Sequence, residues 1–87
     1  MTDQQVREML VEALEYASVI ALRDKNLGAG FLAGTSEVPI DALDMDSLAE
    51  MELCIAIEVN AGVSIVPERL RRIGTLDRLV ALIRSRQ

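Results

Sequence analysis

The stretch DSLAEMELCIAIEVNAG, residues 46–62, decides how the rest of the chain must be arranged. Leu48, Met51, Ile55 and Val59 recur at helical spacing and form one stripe of a helix from Ser47 to about Asn60. Leu53, Cys54, Ile57 and Ala61 make the opposite side apolar too. A helix hydrophobic nearly all round belongs at the centre of a fold, touching several neighbours. Glu50, Glu52 and Glu58 mark the narrow strips left to water, and Gly62 supplies the stop.

Upstream, Val6, Met9, Leu10, Ala13, Leu14, Ala17 and Ile20 recur at spacings of three and four, with Arg7, Glu8, Glu12 and Glu15 off the stripe. Thr2 with Gln5 fits a capping box, so a first helix is expected from about residue 3 to about residue 22. Residues 23–45 show no sustained period and contain Gly28, Gly30, Gly34 and Pro39. They read as a long structured loop, with a short helical turn near Pro39 to Leu43. Downstream, VSIV at residues 63–66 reads as extended, and Pro67 suits the first position of a short helix, PERLRRI, that ends at Gly74. Thr75 caps a final helix in which Leu76, Leu79, Val80 and Ile83 share one face. Asp77 at its start and Arg84 and Arg86 at its end suit the helix dipole. The expected architecture is all-α: a small four-helix bundle of three main helices plus a short third helix, with a long loop between helices 1 and 2.

With 87 residues the chain makes one domain, residues 1–87, because two cores of that size would each be unstable. Its apolar fraction of 51% suffices for a core, and with Tyr16 and Phe31 as the sole aromatics that core must be aliphatic. Met1 points to a free-standing protein. No stretch approaches the roughly 20 apolar residues of a membrane span, and the acidic start lacks the basic region of a signal peptide. A cytoplasmic protein without a membrane partner is expected. The absence of histidine removes Ser-His and Cys-His catalysis and argues against an enzyme working alone. Cys54, the one cysteine, reads as a small core residue. Asp41, Asp44 and Asp46 could offer oxygen ligands but lack the full calcium-loop spacing, so no metal site is expected. A net charge of −5 with few aromatics disfavours nucleic acid as a partner. The charge is polarised: residues 1–60 hold 12 acids against 3 bases, and residues 61–87 hold 2 acids against 6 arginines.

Ser47 could serve in either of two ways. Asp or Ser before an amphipathic run is the ordinary start of a helix, and Ser47 with Glu50 has capping-box spacing. Alternatively Asp46 caps, which leaves the Ser47 hydroxyl at the first turn facing water. The positive end of the helix dipole would there favour a phosphate esterified to that hydroxyl.

Residues 43–83, LDMDSLAEMELCIAIEVNAGVSIVPERLRRIGTLDRLVALI, resemble the acyl carrier protein family without a gap. Leu43, Asp46, Ser47, Leu48, Glu52, Leu53, Ala56, Glu58, Ile65, Ile73 and Thr75 stand where that family commonly has such residues. The resemblance implies a discrete carrier, a monomer and not an enzyme. Ser47, flanked by Asp46 and Leu48, would receive a 4′-phosphopantetheine arm from coenzyme A through a phosphopantetheinyl transferase. Acyl groups held on the arm as thioesters would pass to acyl-loading and synthase enzymes of fatty-acid, polyketide or related specialised biosynthesis. Leu48, Met51, Ile55, Ile65 and Leu79 are candidates to line an acyl pocket. Glu50, Glu52 and Glu58 would meet basic partners, and Arg69, Arg71 and Arg72 would give the short helix a second, basic docking surface.

The chain also departs from the family. Asp44 replaces a usual glycine, Ala61 a usual bulky residue and Val59 a frequent acid, while the third helix is basic rather than acidic. These changes point to a specialised carrier. A peptidyl or aminoacyl carrier of the same fold and an unmodified helical adaptor for an acidic protein are the alternatives.

Overall fold

The computed structural model describes residues 1–17, 25–35 and 37–87. Helix α1 (Asp3–Tyr16) opens with the reciprocal cap its sequence predicts: the Gln5 N–H donates to Thr2 Oγ1 at 3.2 Å and the Thr2 N–H to Gln5 Oε1 at 2.8 Å. Val6, Met9, Leu10 and Leu14 are buried along the expected stripe. The helix ends at Tyr16, short of the expected residue 22, with Ala17 as its C-cap; Ile20 lies outside the described residues.

The largest departure from expectation is helix α2 (Lys25–Ala33), which occupies part of the segment read as a loop. Gly28 and Gly30 each disfavour a helix by about 1 kcal/mol relative to alanine. Phe31, fully buried in the common core, offsets this by about 1.5–3 kcal/mol. Gly34 is the stop of that helix rather than a break in a loop. With φ at 73° it adopts the left-handed conformation, and its N–H donates to the Phe31 carbonyl at 3.0 Å while the Thr35 N–H donates to the Gly30 carbonyl at 2.9 Å.

The expected turn is a 3-10 helix at Ile40–Leu43 that buries Ile40 and Leu43. It is tied to the far end of the chain. The Ile40 N–H donates to the Gly74 carbonyl and the Leu76 N–H to the Val38 carbonyl, both at 2.8 Å, around a single antiparallel bridge between Pro39 and Thr75. Helices α3 (Ser47–Ala61), α4 (Pro67–Ile73) and α5 (Leu76–Arg86) lie close to the bounds read from Ser47, Gly62, Pro67, Gly74 and Thr75. Between α3 and α4, Val63 and Ile65 are buried and Ser64 and Val66 exposed, the alternation of an extended segment. The fold is thus all-helical, with α2, α3 and α5 each packed on α1, and α4 packed on α3 and α5. Among the described residues no helix is long and apolar enough to cross a membrane.

Arg7 leaves the outer face expected of it. Its Nη1 donates to the Phe31 carbonyl at 2.8 Å and to Asp77 Oδ1 at 2.7 Å, and its guanidinium lies 5.0 Å from the Phe31 ring centroid. One side chain of α1 therefore holds the C-terminal end of α2 and the first turn of α5. Arg7→Ala removes both contacts and leaves the part-buried Asp77 carboxylate unpaired, so unfolding stability is expected to fall by about 1–3 kcal/mol in chemical denaturation. A loss under about 0.5 kcal/mol would reduce the contact to an ordinary surface pair.

Candidate functional site

The start of α3 is built from local signals. Asp46 is extended and its Oδ1 accepts from the Ala49 N–H at 2.8 Å, so the aspartate caps the helix and Ser47 is left exposed at its first position. Just before it, Asp44 sits at φ 48°, the left-handed conformation that favours glycine and that aspartate tolerates better than most residues. A cavity of about 470 Å³ opens here, walled by Asp41, Asp44, Asp46, Ser47, Glu50 and Arg71. The structure thus brings together the acids of the loop, the serine and one arginine from a helix that follows later in the chain.

Glu50 does not form part of an acidic partner face. It is 6% exposed, and both its oxygens accept from Arg71, Oε2 from Nε and Oε1 from Nη2, each at 2.9 Å. The hydrogen bonds from Arg71 hold the Glu50 carboxyl below its ordinary value of 4.5; burial opposes them, the Arg71 charge adds to them, and Asp46 opposes in turn. Arg71 is thereby ion-paired, although its side chain stays exposed on α4. Arg72 pairs with Glu68 at 2.8 Å on the exposed side of α4, and Arg69 is exposed. Glu58 is exposed as expected, whereas Glu52 is half-buried and lines a groove of about 570 Å³ between α1 and α3 with Glu8 and Glu12. Cys54 is buried in the core; burial, reinforced by the Glu50 charge, pushes its thiol up and keeps it protonated.

The central helix is not buried all round. Leu53, Cys54 and Ile57 face the core, but Leu48, Met51, Ile55 and Val59 are 65%, 57%, 55% and 76% exposed. The five candidates for an acyl pocket therefore do not share one lining: Ile65 and Leu79 are buried while Leu48, Met51 and Ile55 face outward. An apolar row of this length on the surface is the kind of feature that marks an interaction site. Its residues were visible as a stripe in the sequence; which side it faced depended on where α1 and α4 pack.

Asp46→Ala is expected to remove the cap and about 1 kcal/mol of stability, whereas Ser47→Ala should stay within about 0.5 kcal/mol of the parent in denaturation experiments. A larger effect at Ser47 would assign the cap to the serine. A second expectation concerns pH. The folded Glu50 carboxyl ionises more readily than an unfolded one, so its stability contribution is present above pH 4.5 and is lost as pH falls through the lowered folded value. Glu50→Gln should flatten that acid limb when unfolding is followed at stepped pH; equal limbs in parent and variant would show that the pair does not form in solution.

Comparison with protein-family models, with curated proteins and with solved structures gives no match for this chain.

Proposed function

We propose that the chain is a discrete acyl carrier and that Ser47 is the attachment point of a 4′-phosphopantetheine arm. The observation that carries this reading is the cap at Asp46, which leaves the Ser47 hydroxyl exposed on the first turn of α3. On this reading α1, α3, α4 and α5 are the four helices of the carrier bundle, and α2 is an added element between the first two. The residues fit the group. A serine open to water borders a cavity with a cation in its wall, at the positive end of a helix.

Loading needs a second protein. Ser47 Oγ would attack the phosphoanhydride of coenzyme A, forming the serine–phosphorus bond as the adenosine bisphosphate leaves. The hydroxyl proton would pass to a base of the phosphopantetheinyl transferase, which also supplies Mg²⁺, because the chain contains no histidine. The arm, when bound, supplies a thiol that holds acyl groups as thioesters at high local concentration. Leu48, Met51, Ile55 and Val59 follow the serine along α3 and offer acyl-loading and synthase enzymes an apolar docking face, with Glu58 exposed on the same helix. The partners would belong to fatty-acid, polyketide or related specialised biosynthesis. The same apolar face also suits an unmodified adaptor, which would need no serine chemistry.

Intact mass after incubation with coenzyme A and a broad-specificity transferase separates the two. One arm per chain is expected, with none on Ser47→Ala. Because Cys54 is buried, thiol titration of the folded protein should rise from no fast-reacting thiol before loading to one per chain after it. An unchanged mass alongside an active control carrier would exclude the carrier and favour the adaptor.

A further inference from the structure

The cavity beside Ser47 is strongly acidic: Asp41, Asp44, Asp46 and Glu50 line it, and Arg71 is the one cation in its wall among the described residues. Besides the positive end of α3, that arginine is the group there able to offset the repulsion an anion would meet. The way Glu50 holds Arg71 leaves it able to do so. Glu50 engages the guanidinium side-on, through Nε and Nη2, so Nη1 with its two N–H groups is directed away from the carboxylate. Ser47 and Glu50 are three residues apart on α3, a spacing that stacks them on one face with Cβ atoms about 5–6 Å apart. The guanidinium docked on Glu50 lines the same cavity as Ser47. The Arg71 side chain is 58% exposed, so the Nη1 side can be reached from solvent while the Nε edge is fixed.

We infer that Arg71 binds the phosphodiester formed on Ser47, with Glu50 as the residue that positions its guanidinium. This assignment rests on the carrier reading of Ser47. It gives the half-buried ion pair a use beyond joining α3 to α4, and it makes Arg71 a contact of the arm rather than a docking charge on α4. A diester carries one negative charge and no exchangeable proton, so charge-assisted N–H donation is the interaction available to it. The planar fork of arginine can keep two donors on Glu50 and turn others to the phosphate, which a lysine ammonium cannot do with the same geometry.

The test uses the full chain, loaded by a broad-specificity transferase with coenzyme A and verified by intact mass. In the parent, ¹H–¹⁵N spectra of the Arg71 guanidinium are compared before and after loading. Exchange of the Nη1 protons with solvent is expected to slow by about tenfold, the factor that one hydrogen bond to a charged group provides. The ³¹P resonance is then compared among loaded parent, Arg71→Gln and Glu50→Gln. Both substitutions break the ion pair, but only Arg71→Gln removes the phosphate donor. Arg71→Gln should move the ³¹P resonance furthest toward its position in the urea-unfolded loaded chain, whereas Glu50→Gln, which keeps the guanidinium but no longer holds it, should move it only part of the way. Unchanged Nη1 exchange on loading, or equal ³¹P shifts for the two variants, would overturn the assignment while leaving Ser47 as the attachment point. A parent chain that takes no arm at all would overturn the carrier reading and this assignment together.

Discussion

A charge carried toward an aliphatic core must be met there, and this constraint organises the molecule. With only Tyr16 and Phe31 as aromatics, the interior is built from leucine, isoleucine, valine and methionine, which offer no hydrogen bonds. Arg7 and Glu50 nevertheless reach inward, and each is met by a residue from a distant segment. The Arg7 partner Asp77 is 70 positions away, and the Glu50 partner Arg71 is 21 away. Among the described residues no buried side-chain polar atom lacks a hydrogen-bond partner. Unmet, such groups would destabilise a small fold severely; met, they set where one helix lies against another.

The two pairs divide the work. Arg7 draws α2 and α5 onto α1, with Phe31 placed between aliphatic packing and a guanidinium face. Glu50 and Arg71 join α3 to α4 at the end where the serine is exposed. Among the described residues, half of the six arginines of residues 61–87 are taken up in ion pairs. Arg71, Arg72 and Arg84 of the basic C-terminal third lie on Glu50, Glu68 and Asp3, so the excess of arginine there does not form one uniform surface. The exposed side of α3 carries a row of aliphatic side chains that begins immediately after Ser47, with Glu58 also exposed on that helix.

Much of the local structure could be read directly from the sequence. The Thr2–Gln5 box, the Thr75 cap, Pro67 at the first turn of α4 and Gly62 at the end of α3 all stand where they were expected. Each is a contact between residues a few positions apart, so composition and spacing suffice to specify it. The choice between Asp46 and Ser47 as the cap was open in the sequence, because either oxygen suits the position; the structure selects Asp46.

What tertiary structure decided has a common cause. Helix α2 forms across two glycines because Phe31 has a core to enter, and no local signal reports that core. The apolar stripe of α3 faces water because α1 and α4 occupy the other sides of the helix, although periodicity alone would have buried both. Arg7 and Glu50 sit at positions that helical spacing assigns to solvent, and only their distant partners make burial tolerable. By itself the sequence determined the bounds of α3, α4 and α5 and the caps at Thr2 and Thr75, since those depend on contacts within about one turn. The packing decided which face is left bare and which arginine stands beside that serine, since those depend on residues brought together from opposite ends of the chain.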